Sequence, residues 1–274
     1  MNCVRPKGGV IIYWYDGKVV NLSTIELAID DPGLLYGATV FTTLRVYHNS
    51  LDSKLTQWQA HCDRLKFSLQ SLDWRTPREE QLRQGAKLIN SHFPVLKITI
   101  FPDGREWITG RNLPLDLAEK QSTGIVANVA SPGLQRSLPM HKTGNYLSPW
   151  LAKREAGKLN AQEAILVDSQ GNWLETSTGN LWGWGDGCWW TPPLTEGILP
   201  GIMRSQLLQW LESQQQLVRE EPWTMEVVEK LEAIAYSNSV VGIIPIHTVI
   251  HPSGSLEYDP RHSVLQQLRQ MFLA

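Results

Sequence analysis

Lys142 is the residue whose surroundings in this sequence most favour covalent chemistry. It lies in MHKTGNYLSPW, residues 140–150, between a histidine and a Thr-Gly-Asn-Tyr turn, with almost no other charge nearby. A desolvated lysine amine loses its proton more easily and can then form a Schiff base with a carbonyl group. An ordinary surface lysine at the start of a helix is the alternative, and the residue by itself leaves both interpretations open.

Two further segments could hold a ring nitrogen and a phosphate. Glu175 ends a predicted strand in NWLETSTGN, where its carboxylate could keep a pyridine nitrogen protonated and strengthen the ring as an electron sink. Gly201 precedes a predicted helix in GILPGIMR, so the backbone N–H groups of Ile202 and Met203 could bind a phosphate together with the helix dipole. An exposed strand-end glutamate and a plain helix-start glycine are the alternatives.

Two polar segments could add donors to the same anion. Arg64 lies in the helical pattern HCDRL, and a guanidinium that faces inward there needs a phosphate or carboxylate partner. The segment YSNS ends a predicted strand with Ser237, Asn238 and Ser239. A solvated helix face and a simple polar turn are the alternatives. Each signal is weak singly, but together these groups predict a site for an anionic, pyridine-like cofactor.

Composition and charge exclude several classes of protein. The chain has 274 residues, of which 42% are hydrophobic, enough to bury a substantial core. Its net charge is −2 and no long basic run appears, so nucleic-acid binding has no electrostatic support. The apolar runs are far too short to span a bilayer. The seven histidines are isolated and no Cys-x-x-Cys or Walker motif is present, so we expect neither a bound metal nor a nucleotide fold.

The N-terminus and the cysteines predict a cytoplasmic protein. The first apolar run stops at Asp16 after about six residues, which is too short for a secretory signal. Cys3, Cys62 and Cys188 are odd in number and far apart. That pattern argues against a disulfide framework and fits a reducing compartment.

Strand and helix patterns are mixed without regular βαβ alternation, which predicts an α+β fold. The first half opens with an Asp-Gly hairpin in VIIYWYDGKVVNLS, followed by strands and by two helices, the second capped by Thr76. In the second half, a helix follows Lys142 and WLETSTGNLWGW is predicted to form a hairpin. We therefore predict an N-terminal domain at 1–115, a linker at 116–124 and a C-terminal domain at 125–274.

The order and wording of these segments resemble the class IV aminotransferase family, the fold-type-IV pyridoxal-phosphate enzymes. The similarity runs from Asp31 to about Ile246 and includes YGATVFTTLRV, HCDRL, HKTGNYL, EAILVDSQGNWLETSTGNLW, GILPGIMR and SNSVVGIIPI. It implies a small N-terminal α/β domain, a larger barrel-like C-terminal α/β domain and pyridoxal 5′-phosphate as cofactor. It also implies a homodimer that acts on a small molecule.

The resemblance gives each candidate residue a role at the cofactor. Lys142 would carry the covalent link, Tyr146 would contact the ring oxygen and Glu175 would contact the pyridine nitrogen. The phosphate would be bound by side chains and backbone groups from three segments: Arg64, Ile202, Met203, Asn238 and Ser239.

The strand after YG favours one activity within the family. Aminotransferases of the family typically have Phe-Glu-Gly or Tyr-Glu-x there, whereas this chain reads FTTLRV. That wording resembles aminodeoxychorismate lyases and would place the hydroxyl of Thr43 near the reacting ring, where it could position a proton or water for the leaving group. Lys97 and Arg105 would then receive substrate carboxylates, and Tyr36 would also contact the substrate.

Two alternatives to the lyase activity are open at the level of sequence. YGATVF lacks the acidic residue of the common YGDGVF, and KTGNY is similar to branched-chain aminotransferases, so transamination of branched-chain L-amino acids or of D-amino acids is the second hypothesis. Lys97 and Arg105 could also be a strand-edge lysine and a turn arginine. A non-catalytic member of the fold is disfavoured because Lys142, Glu175 and Arg64 are all present.

Overall fold

The computed structural model describes residues 12–272, which fall into two compact units. Unit 1 comprises the described residues up to Leu113 together with His141–Asn145. Unit 2 comprises Pro114–Met140 and the described residues from Tyr146 onward. The first two residues of the predicted hairpin strand, Val10 and Ile11, lie outside the described residues, as do Cys3 and most of the segment tested for a secretory signal.

Unit 1 is an antiparallel sheet with helices on one face. Its elements are β1 (Tyr13–Tyr15), β2 (Lys18–Val20), α1 (Pro32–Leu35), β3 (Val40–Arg45), α2 (Trp58–Ser71), α3 (Glu79–Asn90), β4 (Val95–Ile100) and β5 (Glu106–Arg111). The five strands are ordered β2-β1-β5-β4-β3, so β3 is an edge strand. Asp16 and Gly17 take φ angles of 45° and 80° between β1 and β2, which is the geometry that makes Asp-Gly a hairpin turn.

The alternation of side chains along β3 sorts them between the two faces of the sheet. Val40 and Leu44 point toward the helices and are buried in one cluster with Leu65 and Leu69 of α2 and with residues of α3. These apolar residues recur at helical spacing in α2, as the sequence pattern predicts. Phe41, Thr43 and Arg45 therefore share the opposite face, and that face carries the chemistry of unit 1.

The start of α3 differs from the prediction. The N-cap residue is Arg78, and no side chain caps the helix, so the expectation that Thr76 caps it is wrong. Thr76 precedes Pro77, and a residue before proline is pushed toward extended backbone. Glu79 and Glu80 in the first turn instead provide favourable charge at the helix N-terminus.

Unit 2 is built on a nine-stranded mixed sheet. Its elements are α4 (Leu117–Thr123), β6 (Ile125–Val129), α5 (Leu147–Lys158), β7 (Glu163–Val167), β8 (Trp173–Thr176), β9 (Asn180–Gly185), β10 (Cys188–Thr191), α6 (Ile202–Ser213), β11 (Val218–Glu220), α7 (Met225–Val228), β12 (Ala233–Asn238), β13 (Gly242–His251), β14 (Gly254–Glu257) and α8 (Ser263–Gln270). The order is β11-β10-β9-β12-β13-β6-β7-β8, with β14 paired to β13. The two units, both mixing helices with sheet, confirm the predicted α+β fold class.

Two clusters form the core of unit 2. Leu207 and Leu211 of α6 pack with Leu265 and Leu268 of α8 and with Trp182 of β9. Small side chains of α5 and β7 form the second cluster, namely Ala152, Ala156 and Ala164 with Leu166. The alanines allow α5 to lie close to the sheet, against β7 and β6.

The hairpin predicted in WLETSTGNLWGW is wrong, although both of its strands form. β8 pairs with β7, whereas β9 pairs with β10 and β12. A Cβ atom on Gly179 would lie 2.3 Å from the carbonyl oxygen of Ser237, so the chain passes against β12 at this glycine and β9 continues along that strand. Both strands are buried on nearly every residue, so the sequence lacks the alternation that specifies a register.

The segment 116–124, predicted as a linker, contains a short helix counted with unit 2. Leu117 of α4 is buried, and Gln121 donates to the carbonyl of Val241 at 2.8 Å. Gly124 ends the helix with a φ of 80°, as glycine commonly does after a helix. Seven residues are too few to show a helical period in the sequence. Within residues 12–272, no helix is long and apolar enough to cross a bilayer.

Candidate functional site

Lys142 lies in a segment of unit 1 that is held along the open edge of β3. The N–H of Phe41 donates to the carbonyl of Lys142 at 2.7 Å, and Val40 forms an isolated antiparallel bridge with Thr143. The Nζ atom of Lys142 lies 4.8 Å from the centroid of the Phe41 ring. Backbone pairing therefore fixes the position of the lysine, and the aromatic ring fixes the direction of its amine.

The same segment is also attached to α2. The ring of His141 stacks on Phe67 with 5.4 Å between centroids, and its Nδ1 lies 3.1 Å from the hydroxyl of Ser68. The residue before the candidate nucleophile is thus held by a helix while the residue after it is held by a strand.

Arg64 takes part in a buried hydrogen-bond chain that the sequence did not indicate. Its Nη2 donates to the hydroxyl of Thr42 at 2.7 Å, and that hydroxyl lies 2.6 Å from Nδ1 of His61. The Thr42 hydroxyl thus links Arg64 to His61. Burial, followed by the charges of Arg64 and Lys142, lowers the pKa of His61 well below its usual value. His61 is therefore neutral at neutral pH, and the chain orients the guanidinium.

Thr43 and Lys97 form a directly opposed pair across β3 and β4. Opposed residues of antiparallel strands project from the same face, within reach of one another. The Nζ atom of Lys97 lies 4.5 Å from the centroid of Phe41, the ring that Lys142 also contacts. Burial lowers the pKa of Lys97. Unit 1 thus brings together three of the predicted site residues, Lys142, Thr43 and Lys97.

Two arginines on this face were missed at the sequence level. Val95 is opposed to Arg45 on one side and to Arg111 on the other, which places both beside the Thr43–Lys97 pair. None of the residues opposed along this face of β3, β4 and β5 is acidic. For Arg45 the signal was present, since it lies two residues after Thr43 in a strand. Finding Arg111 required the β4–β5 register.

Tyr36 and Arg105 lie outside this group. Tyr36 follows α1 and is 74% exposed. The guanidinium of Arg105 bonds to Asp31 at 2.6 Å, to Asp103 at 2.5 Å and to the hydroxyl of Tyr15 at 2.6 Å. These contacts fix the position of Arg105 in unit 1, and its contact with a substrate carboxylate stays a prediction.

The Asp31–Arg105 pair gives unit 1 a defined dependence on pH. Burial by itself raises the pKa of Asp31, but hydrogen bonds from Arg105 and Gly33 and the charge of Arg105 outweigh it, so the pKa lies below its usual value. A carboxyl with a depressed folded-state pKa stabilises the fold above its unfolded pKa of about 3.9. That stabilisation is lost as the pH falls through the folded-state pKa.

We expect Arg105→Met to lower the free energy of unfolding by about 1–3 kcal/mol at neutral pH. The loss should shrink in acid, because Asp31 is then protonated with or without its partner. Thermal unfolding of both proteins from neutral pH to about pH 2 measures this difference. Arg83→Met, which removes the more exposed Arg83–Asp52 pair, is the control and should change stability by less than about 1 kcal/mol. A loss for Arg105→Met that is equal at every pH would contradict the prediction.

In unit 2, Glu175 and Tyr146 are joined by an arginine. Nε of Arg136 donates to Glu175 Oε1 at 2.7 Å, and its Nη2 lies 3.3 Å from the Tyr146 hydroxyl. The side chains of Arg136 and Glu175 are only 6% and 3% exposed. The Tyr146 hydroxyl also donates to the carbonyl of Ser177. The structure thus brings two predicted cofactor residues together through a third, Arg136, which the sequence did not indicate.

This network is charged and almost completely buried from solvent. The attraction of Glu175 outweighs burial and raises the pKa of Arg136 above its usual value. Burial raises the pKa of Tyr146 despite the opposing charge of Arg136, so the tyrosine is neutral and keeps its proton as a donor. The other oxygen of Glu175 faces the N–H of Leu199 at 3.4 Å. A buried carboxylate of this kind requires a cationic N–H partner.

The N-terminus of α6 is closely packed. The helix begins at Ile202, and both Ile202 and Met203 are buried. A Cβ atom on Gly201 would lie 2.0 Å from Oδ1 of Asn180, so glycine is required before the helix. The amide of Asn180 donates to the carbonyl of Leu199 at 2.9 Å. Backbone N–H groups at such a helix start are donors suited to a phosphate.

Asn238 organises the turn between β12 and β13. Its Oδ1 accepts the N–H groups of Val240 and Val241 at 2.9 Å and 3.0 Å, and its Nδ2 lies 3.3 Å from the carbonyl of Thr178. Ser239 is half-buried beside it. Asn238 therefore shapes the backbone of this turn. The polar sequence YSNS alone could not distinguish this role from direct binding of a ligand.

Comparison with known proteins agrees with this geometry. The family described as "Amino-transferase class IV" matches residues 39–249. Among curated proteins, an aminodeoxychorismate lyase from Vibrio harveyi is 24% identical over 267 residues, covering 90% of this chain and 94% of the relative. A putative branched-chain-amino-acid aminotransferase from Methanocaldococcus jannaschii is 25% identical over 254 residues, covering 86% and 87%.

A solved structure supports the fold. The PLP-bound form of a hypothetical aminotransferase from Mycobacterium tuberculosis aligns with a TM-score of 0.79 at 19% identity, covering 95% of this chain and 98% of that one. This likeness extends the two-unit fold to nearly the whole length of both proteins. Because the family match spans most of the sequence and includes the strands and helices that carry the candidate residues, the chain belongs to the class IV aminotransferase family.

Proposed function

We propose that this protein is a lyase that converts 4-amino-4-deoxychorismate to 4-aminobenzoate and pyruvate, a step in the synthesis of folate precursors. The observation that carries the proposal is the face of β3, β4 and β5 on which Thr43 is opposed to Lys97, with Arg45 and Arg111 alongside. The substrate has two carboxylates and an ether oxygen that must depart. Basic groups around a hydroxyl match that pattern of charge.

The cofactor is pyridoxal 5′-phosphate, and each unit taken by itself has groups of the kinds that this cofactor needs. In unit 1, Lys142 provides an amine that can react with the aldehyde of the cofactor, and Arg64 provides an oriented guanidinium. Unit 2 provides a buried carboxylate at Glu175 and a protonated phenol at Tyr146. When bound, the cofactor supplies an electron sink for the carbon that bears the substrate nitrogen.

The phosphate is expected to bind to donors of three kinds. Arg64 offers a charge-assisted hydrogen bond. The N–H groups of Ile202 and Met203 are those of a helix start, next to a glycine that leaves no side chain in the way. Ser239 offers a hydroxyl in the turn that Asn238 shapes.

The residues of unit 1 account for the chemistry of elimination. The amine of Lys142 removes the proton from the ring carbon that bears nitrogen, acting as a general base. The bond between the ring carbon and the ether oxygen breaks, and the electron pair released by proton removal completes the aromatic ring. The oxygen leaves with the enolpyruvyl group, which takes up a proton to become pyruvate, and the hydroxyl of Thr43 orients this departing group. Lys97 and Arg45 bind the carboxylates. The products are pyruvate and an aromatic ring, and aromatisation makes elimination the downhill path.

Transamination is the second candidate function. The putative branched-chain-amino-acid aminotransferase of Methanocaldococcus jannaschii matches over 86% of this chain. The basic face of unit 1 would also accept a dicarboxylate amino-group acceptor such as 2-oxoglutarate. Branched-chain L-amino acids or D-amino acids would then be the donors.

A paired assay with matched variants separates the two functions. Supplied with aminodeoxychorismate, the protein should form pyruvate, whereas leucine or D-alanine with 2-oxoglutarate should give little glutamate. Thr43→Val should slow pyruvate formation by at least about a hundredfold, because it removes the hydroxyl while keeping the shape. Thr109→Val is the control. Thr109 on β5 is paired with Lys97 on the side of β4 away from Thr43, so this variant should change the rate little. Rapid glutamate formation without pyruvate would show that the protein is an aminotransferase.

A cytoplasmic homodimer is the state that we propose for the enzyme. The proposal rests on the resemblance of the sequence to the family.

A further inference from the structure

Glu163 is a buried carboxylate that has no part in the chemistry proposed above. It begins β7, and its side chain is 0% exposed. Its Oε1 accepts from the Ser177 hydroxyl and from the N–H of Ala164 at 3.0 Å. Its Oε2 accepts from the Thr178 hydroxyl at 2.6 Å and from Nζ of Lys153 at 3.0 Å. Four donors satisfy this carboxylate, and two of them are neighbouring hydroxyls of one turn.

The turn that provides these hydroxyls is tightly determined. It joins β8 to β9, and the N–H of Thr176 donates to the carbonyl of Gly179 at 2.8 Å. The hydroxyl of Thr176 accepts the N–H of Gly179 at 3.0 Å. Since Gly179 is also pressed against β12, as described above, the turn has little freedom on that side. Glu163 holds its other side through Ser177 and Thr178.

The backbone carbonyls of Ser177 and Thr178 in this turn orient residues of the proposed cofactor site. The Ser177 carbonyl accepts the hydroxyl proton of Tyr146. The Thr178 carbonyl accepts from Nδ2 of Asn238 at 3.3 Å. Tyr146 is assigned to the ring oxygen, and Asn238 shapes the turn assigned to the phosphate. Both ends of the proposed site in unit 2 therefore depend on the position of one short turn.

The ion pair with Lys153 closes this arrangement into a ring. Lys153 lies on α5, whose N-cap residue is Tyr146. The middle of α5 is thus tied to Glu163 directly through Lys153, and the start of the helix is tied to the same carboxylate through Ser177. A buried carboxylate with an incomplete set of donors is strongly unfavourable, so Glu163 selects the arrangement in which all its donors are in place.

We propose that Glu163 is a positioning residue for the cofactor: through Ser177 and Thr178 it fixes the two backbone carbonyls that orient Tyr146 and Asn238. The inference rests on the proposed function only in taking pyridoxal 5′-phosphate as the ligand. If the inference holds, Glu163 affects both the affinity for the cofactor and the pH at which the ring oxygen of the cofactor is protonated. Burial of Glu163 alone would produce neither effect.

A pair of substitutions at Thr178 tests the proposal in the full-length protein. Thr178→Val keeps the shape and removes the hydroxyl, whereas Thr178→Ser keeps the hydroxyl. Cofactor-free protein is titrated with pyridoxal 5′-phosphate, and the yellow absorption band is followed. We expect the valine variant to bind at least about tenfold more weakly than wild type, a change of about 1.4 kcal/mol. The serine variant should bind within about twofold of wild type.

Glu163→Gln provides the second measurement. It keeps the size of the side chain but removes its charge and replaces one acceptor with a donor. We expect weaker cofactor binding and a shift in the pH at which the absorption band changes, because the Ser177 carbonyl that accepts from the Tyr146 hydroxyl is no longer fixed in position. Glu155→Gln is the matched control, since Glu155 pairs with Lys158 at the exposed surface of α5, and its titration should coincide with wild type.

The outcomes separate this inference from the proposed function. Wild-type affinity and an unchanged pH profile in both Thr178→Val and Glu163→Gln would overturn the positioning role while leaving the function intact. Equal weakening by Thr178→Val and Thr178→Ser would also overturn it, because the hydroxyl would then be irrelevant. Failure of the wild-type protein itself to bind the cofactor would instead refute the proposed function, and the inference with it.

Discussion

Replacing Lys142 with alanine is expected to abolish the yellow absorption band of the cofactor-loaded protein and to reduce turnover by at least about a thousandfold. The reason is that, in the function proposed above, this residue provides both the amine that links to the cofactor and the base that moves the substrate proton. Its backbone is fixed by the β3 edge and its amine lies against Phe41. Lys97 also contacts this ring, but its backbone is paired within the sheet on β4. Absorbance spectra and the pyruvate assay measure the two effects.

The control for this experiment is Lys158→Ala. Lys158 is 60% exposed at the end of α5 and pairs only with a nearby surface glutamate among the described residues, so its loss should leave spectrum and rate unchanged. A Lys142→Ala variant that retained the full band would show that the covalent link forms elsewhere. The assignment of Lys142 as the catalytic amine would then be wrong.

Arg136→Met is expected to lower the free energy of unfolding of the cofactor-free protein by about 3–5 kcal/mol. The substitution leaves the Glu175 carboxylate buried without its cationic partner, and breaking a buried pair from one side is far more harmful than removing both charges. Addition of pyridoxal 5′-phosphate should then raise the unfolding temperature of the variant more than that of wild type, because the ring nitrogen gives Glu175 a new N–H partner. Thermal unfolding with and without the cofactor measures both effects.

The double variant Arg136→Met/Glu175→Gln is the control. It removes both charges and should be more stable than Arg136→Met alone, which identifies the unpaired carboxylate as the cause. The cofactor should stabilise the double variant less than it stabilises Arg136→Met. Equal stabilisation of the two would indicate that Glu175 does not meet the ring nitrogen.

The parts of the fold that could be predicted from the sequence are those with local signals. The Asp-Gly turn between β1 and β2 is specified by two residues that tolerate positive φ. Helix α2 follows from apolar residues at helical spacing, and α6 follows from a glycine at its start. In each case the information lies within one turn or one helical face.

Strand pairing could not be predicted in the same way. The partners of β8 and β9 depend on where Gly179 passes against Ser237, almost sixty residues along the chain. The sequence shows two buried strands separated by a short turn, which is also what a hairpin looks like. The helix α4 was missed for a different reason, since it is stabilised by burial of Leu117 and by the bond from Gln121 to Val241.

The residues of the candidate site show the same difference between local sequence signals and contacts that are distant along the chain. Lys142, Glu175 and Arg64 could be proposed from the sequence because their segments resemble motifs of the family. Arg136 was missed because its partners are 39 and 10 residues away, and no short motif marks it. The pairing of Arg105 with Asp31, 74 residues earlier, could not be seen in the sequence either. Partners that are distant along the chain decide whether a charged residue is structural or functional.

The segment His141–Asn145 has a consequence for synthesis of the protein. It covers the free edge of β3 through the bond from Phe41 to the Lys142 carbonyl and through the bond from Gly144 to Thr39. A fragment that ended at Leu113 would leave those peptide groups of β3 bare, and an uncovered edge strand readily recruits another chain. During translation the five strands of unit 1 emerge well before their covering segment, so the nascent protein passes through an interval in which shielding by a chaperone would limit aggregation.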